Sequence, residues 1–163
     1  MVKRSFQLLC VSMVISQVLA AQTVKQGTDK ESQRYNDSVI LADVVKPLMS
    51  KTDDAPNWEA FGDEINAKYG KFYVDRAVTK AKIFYYYGKD WPTFSKSLVH
   101  YTEAFENKDD LKLMNKNAKM VLKYSQDPED WKAAMGWMKH VVDKEPGNAE
   151  YKETYDGLMA KNQ

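Results

Sequence analysis

The chain is 163 residues long, 44% hydrophobic and 29% charged, with 24 basic against 23 acidic residues, a composition that fits about one globular domain. Near-neutral charge removes the surplus of Lys and Arg on which nucleic-acid binding depends, so no nucleic-acid partner is expected. One cysteine, Cys10, leaves no disulfide framework and no redox pair.

At the N-terminus, Lys3 and Arg4 precede an apolar stretch centred on Leu8 to Ile15, and Val18, Leu19 and Ala20 follow in signal-peptidase spacing. Residues 1–21 are predicted to be a secretory signal peptide, and the mature protein to be periplasmic or secreted. The stretch is too short to span a bilayer, which takes about 20 residues. No later segment is apolar enough to try. Cleavage takes Lys3, Arg4 and Cys10 with it, leaving 22 bases against 23 acids and no thiol, so stability must come from packing. Residues 22–33 are polar and patternless and read as a flexible leader.

Residues 34–163 are predicted to form one helical-repeat domain. Apolar residues recur at three and four in successive runs: Leu41, Val44, Val45, Leu48 and Met49; Trp58, Phe61, Ile65 and Tyr69; Val74, Ala77, Val78, Ala81 and Phe84; Trp91, Phe94, Leu98, Tyr101 and Phe105. Leu111, Met114, Ala118, Val121 and Leu122 continue the pattern, then Trp131, Ala134, Met135, Met138, Val141 and Val142, and last Tyr151, Tyr155, Leu158 and Met159. Each is one apolar stripe on a polar helix, and no stretch alternates as a strand would, so the expected fold is all-α. Gly70 and Gly88 stand where a left-handed residue ends a helix. Asp127 and Pro128 have start chemistry. Pro47 should kink the first helix or end it near Lys46.

Asn57-Trp58, Asp90-Trp91 and Asp130-Trp131 each open the second helix of a pair, at spacings of 33 and 40 residues. The chain then divides into antiparallel hairpins at about 35–69, 71–106 and 110–144, with a capping helix at 149–161. Stacked side by side, these form a short right-handed solenoid.

From Ala118 onward the sequence resembles a tetratricopeptide-type repeat: Ala134, Met138, Val141 and Pro146 stand where that motif places alanine, phenylalanine, alanine and proline. Ala118, Val121, Leu122 and Ser125 depart from its Trp, Leu, Gly and Tyr. More narrowly, Asp127 to Trp131, Trp137, Val141-Val142, Pro146 and Thr154 to Met159 are similar to the helical tail behind thioredoxin-like domains in exported Bacteroidetes proteins. That resemblance implies a helical-hairpin fold. The thioredoxin domain itself is absent, and fold alone does not bring function.

Catalytic apparatus is scarce. There is no cysteine after residue 10, no Gly-x-Ser-x-Gly elbow and no Gly-rich phosphate loop, so neither an enzyme nor a cofactor is expected. His100 and His140 each fall nine residues after a tryptophan, but two histidines without cysteine are too few for a zinc site. Asn36-Asp37-Ser38 is a glycan-acceptor motif short enough to arise by chance. Phe84, Tyr85, Tyr86 and Tyr87 are four consecutive aromatics, covering every face of a helix at about 100° per residue. One or two must leave the core unless the helix is buried on two sides. Exposed tyrosine gives large contact area at low entropy cost, so Tyr69, Tyr73, Tyr85, Tyr86 and Tyr87 are candidate partner-binding residues. Lys112, Lys116, Lys119 and Lys123 form a stripe opposite the apolar one, a solvated face or a surface for an acidic partner. The expected function is binding of a protein or peptide without catalysis. The alternative is an accessory subunit to a thioredoxin-like or other envelope enzyme.

Overall fold

The computed structural model describes residues 30–49 and 54–162; the segment read as a signal peptide and the first part of the leader lie outside them. The described residues form helices α1 (Lys30–Ile40), α2 (Lys46–Met49), α3 (Trp58–Tyr69), α4 (Val74–Tyr86), α5 (Trp91–Phe105), α6 (Leu111–Tyr124), α7 (Pro128–Lys144) and α8 (Ala149–Lys161), with no strand among them. The chain is all-α. The first helix already includes Lys30 to Gln33, inside the segment expected to be leader.

Pro47 does not end the helix near Lys46, since helix is described on to Met49. A π-turn, Leu41–Val45, joins α1 to α2, and the Lys46 N–H donates to the Leu41 carbonyl, five residues back. Proline has no N–H for the turn before it, and the widened turn accommodates the loss while the helix continues.

Local chemistry sets the other boundaries. Asn57 Oδ1 accepts from the Glu59 and Ala60 amides at 3.1 Å, Asp90 Oδ1 from Thr93 at 3.1 Å and Asp127 Oδ1 from Glu129 at 3.0 Å. Each satisfies amides orphaned at a helix start. Gly70 (φ 91°) and Gly88 (φ 77°) supply the positive φ after α3 and α4. One boundary differs from expectation. Asp130 and Trp131 do not open α7, because Asp127 is the cap and Pro128 the first helical residue. Asp130 is instead buried, accepting from Ser125 Oγ at 2.6 Å, and burial holds its carboxyl above the usual range. The caps at 57, 90 and 127 are spaced 33 and 37 residues apart, more regular than the tryptophans.

The tryptophans nevertheless share a setting. Trp58 Nε1 donates to the Tyr86 hydroxyl, 3.1 Å away at the end of α4. Trp91 stacks on Tyr124 at the end of α6, with centroids 3.9 Å apart and planes at 9°. Trp131 Nε1 donates to the Ser125 carbonyl at 3.2 Å, and Lys161, at the end of α8, lies 5.5 Å over its ring. Each indole thus sits against the last turn of the helix that follows its own.

Two apolar clusters fill the interior. One joins α1 and the π-turn to α3 and α4 through Val39, Val45, Phe61, Ile65, Tyr73 and Ala81. The other joins α5 to α8 through Phe94, Met114, Val121, Trp137, Met138 and Leu158. The close packing of α4 on α5 connects them, as does the contact of Trp58, on the first cluster, with Tyr86, on the second, at 5.9 Å between centroids. At the contact of α6 and α8, a Cβ on Gly157 would lie 2.9 Å from Leu122 Cδ2.

Met138 is fully buried in the second cluster. Met138→Ala is expected to cost about 2–5 kcal/mol, read as a lowered urea midpoint; a loss below about 1 kcal/mol would contradict this packing.

Candidate functional site

Helices α4, α6 and α8 are separated by the returning helices α5 and α7, so they run in the same direction. Their outer faces meet. Lys80 of α4 and Lys116 of α6 feel each other's charge, the rings of Tyr87 and Tyr124 lie 6.1 Å apart, and α6 packs directly on α8.

Between α6 and α8 runs an open groove of about 560 Å³ lined by Lys112, Asn115, Lys116, Lys119, Lys123, Tyr124, Glu150 and Tyr151. All four lysines of the sequence stripe therefore border one concavity. A single carboxylate answers them: Glu150 Oε1 accepts from Lys119 Nζ at 2.7 Å and from Asn115 Nδ2 at 3.0 Å. The Lys119 ammonium, with Asn115 assisting, holds the Glu150 carboxyl below its ordinary value. No other lysine of the row has a carboxylate within 4.0 Å among the described residues. At the groove floor Asn115 Oδ1 is buried without a hydrogen-bond partner among the described residues.

The aromatic candidates separate. Tyr69, Tyr73 and Tyr85 are buried, at 8, 5 and 7% exposed, and belong to the packing. Tyr73 accepts at its hydroxyl from Asn36 Nδ2 at 2.7 Å. That contact leaves Asn36 fully buried, so in the folded chain its amide is closed to a glycan. Tyr86 is half-buried under Trp58. Phe84 and Tyr87 are exposed, at 49 and 51%. They border a second groove of about 530 Å³, with Leu41 and Val45 of the π-turn opposite, Tyr85 at its base, and Lys46 and Lys89 at its edges.

The two grooves are joined. The Tyr87 ring, on the second groove, lies 6.1 Å from the Tyr124 ring, on the first, and this neighbour raises the Tyr87 phenol. Lys123 Nζ lies 4.9 Å over the Tyr124 ring, and the pair lowers the Tyr124 phenol and raises the Lys123 ammonium. One surface thus begins in aromatic and aliphatic side chains at the C-terminal end of α4 and ends in lysines along α6. The sequence presented its two halves as unrelated; their adjacency comes from the shared direction of the two helices.

The histidines lie elsewhere. His100 Nε2 is 2.9 Å from Asp75 Oδ2 and His140 Nε2 is 3.2 Å from Asp109 Oδ1, each pair tying α5 or α7 to the start of the preceding helix. No group of three or more metal-ligating side chains occurs among the described residues, and none of the described helices is long and apolar enough to cross a membrane.

These features define an all-helical chain with an extended basic and aromatic face. Comparison with protein-family models, with curated proteins and with solved structures finds no match.

The Glu150 carboxyl is expected to titrate below the ordinary glutamate value of 4.5 and to return toward it in Lys119→Met, followed by carbon-detected NMR. Because the folded pKa is depressed, the ion pair contributes above that ordinary value and is lost as pH falls through the depressed one.

Proposed function

We propose that this is an exported, non-catalytic interaction module that holds an extended acidic protein segment, anchored by an aromatic or aliphatic side chain, along the outer faces of α4, α6 and α8. The observation that carries this reading is the lysine row, in which four cations border one groove and a single carboxylate answers them. A merely solvated face intersperses both signs. Here one sign is concentrated in a chain that is near neutral overall.

The division of labour follows from the chemistry. Exposed lysines along a concave surface steer an acidic chain to the groove and raise its encounter rate. Phe84 and Tyr87 offer rigid contact area next to the aliphatic π-turn, where an anchor would slow dissociation. A tetratricopeptide-like right-handed solenoid is the finer fold we assign. Its support is the recurrent tryptophan setting, together with starts of α4, α6 and α8 spaced 37 and 38 residues apart. The basic and apolar pattern of the N-terminal segment supports work in the periplasm or outside the cell.

The test is fluorescence anisotropy with a labelled synthetic peptide of about ten residues, rich in Asp and Glu and carrying one Leu-Phe pair. It is compared with a Lys-rich peptide bearing the same pair. The acidic peptide is expected to bind, to weaken at least about tenfold as salt rises from roughly 0.05 to 0.5 M, and to be lost in Lys112→Glu with Lys116→Glu. Tyr87→Ala should mainly quicken dissociation. Equal binding of both peptides, or salt-insensitive binding, rejects the reading.

A further inference from the structure

Beneath the joined grooves, where the π-turn meets α4 and α5, lies a smaller and more enclosed hollow of about 210 Å³. Its walls differ sharply in character. Ile40, Leu41 and Val45 form an aliphatic side, while Asp37, Arg76, Lys80 and the Tyr101 ring form a polar one.

The polar wall has more cation than it has anion to answer it. Arg76 Nη2 donates to Asp37 Oδ2 at 2.7 Å, and its guanidinium lies 5.3 Å over the Phe105 ring. Its Nε–H is buried with no acceptor among the described residues. Lys80 is half-buried with its Nζ 4.3 Å over the Tyr101 ring. No carboxylate lies within 4.0 Å of it among the described residues, and Glu106 acts on it only through space. Buried charge is ordinarily paired. Burial lowers the Lys80 ammonium, and it raises the Asp37 carboxyl in spite of Arg76. The unmet need for an acceptor lies in the geometry, in the unpartnered Arg76 Nε–H and in a Lys80 ammonium with no carboxylate beside it. Burial also pushes the Tyr101 phenol up to about 12, so at neutral pH it is a hydroxyl able to donate.

We propose that this hollow is a binding site for a small monocarboxylate with a short aliphatic tail, the carboxylate taken by Lys80 and Arg76 and the tail laid against Ile40, Leu41 and Val45. An acceptor placed between the two cations supplies the missing anion in a setting where charge-assisted hydrogen bonds are strong. The volume limits the size: at roughly 30 Å³ per water-sized group, it holds on the order of seven non-hydrogen atoms. The widened turn makes the aliphatic wall, and single π-turns within α-helices are frequently found at functional sites. The hollow shares Leu41 and Val45 with the second groove, but its cations Arg76 and Lys80 line neither groove of the peptide face, so the butyrate and peptide tests are read separately.

Butyrate is the probe, titrated into the full ¹⁵N-labelled chain beside butylammonium and inorganic phosphate. Butyrate is expected to shift the amides of Leu41, Ala77 and Lys80 saturably, butylammonium not at all, and phosphate more weakly. Lys80→Met, which keeps the stem and removes the charge, should weaken butyrate about tenfold or more, whereas Lys152→Met, exposed on α8, should leave it unchanged. Absence of a saturable butyrate shift overturns the proposal, as does equal response to butylammonium or a phosphate affinity matching that of butyrate. Unchanged affinity in Lys80→Met overturns it as well; if that variant fails to fold, the three ligands on the unaltered chain decide.

Discussion

The contact on which the arrangement depends is an indole pressed against the end of the next helix. Trp58, Trp91 and Trp131 stand at or near the start of α3, α5 and α7, and each meets the final turn of the helix that follows. A large flat side chain at that position fixes how far along its axis the following helix can slide. Such aromatic contacts are worth about 0.5–1.5 kcal/mol beyond burial, modest singly but repeated at each turn of the chain. With axial position fixed, α4, α6 and α8 present corresponding levels to the same side. Tyr87 therefore meets Tyr124, and Lys80 comes within reach of the Lys116 charge.

That placement turns an ordinary charge count into a polarised surface. The sequence nearly balances, yet its charges are sorted. The α6 lysines gather in one groove, while aspartates at 75 and 109 hold histidines on other helices. Net charge governs solubility and encounter in general, but the spatial sorting of charge determines which partners are favoured.

Local rules made much of the fold legible. The caps at Asn57, Asp90 and Asp127 and the left-handed glycines 70 and 88 follow from single-residue chemistry, and the apolar stripes from one helical period. Trp131 misled because an aspartate before a tryptophan looks the same whether it caps the helix or lies three residues inside it; the buried Ser125–Asp130 contact makes the difference. For the aromatic run from Phe84 to Tyr87 the limit is geometric. Consecutive aromatics at about 100° per residue cover all directions, and it is tertiary packing, Trp58 against Tyr85, that takes Tyr85 inward while Phe84 and Tyr87 remain outside. Asp37, Arg76, Lys80 and Tyr101 carry no common sequence signal at all. They come from three helices, and Lys80 beside Ala77 and Ala81 looks like any solvated lysine.

The π-turn has a consequence for how this chain can change. Bonding five residues back instead of four means that the helix carries one residue more than its axial length requires. Shortening the chain by one position between Leu41 and Val45 would let ordinary α-helix pass through while Lys30 and Met49 kept their places. The wall of the hollow would close and its flanking helical packing would be retained. A cavity built on one surplus residue can thus be gained or erased in a single insertion or deletion, without redesign of the surrounding core.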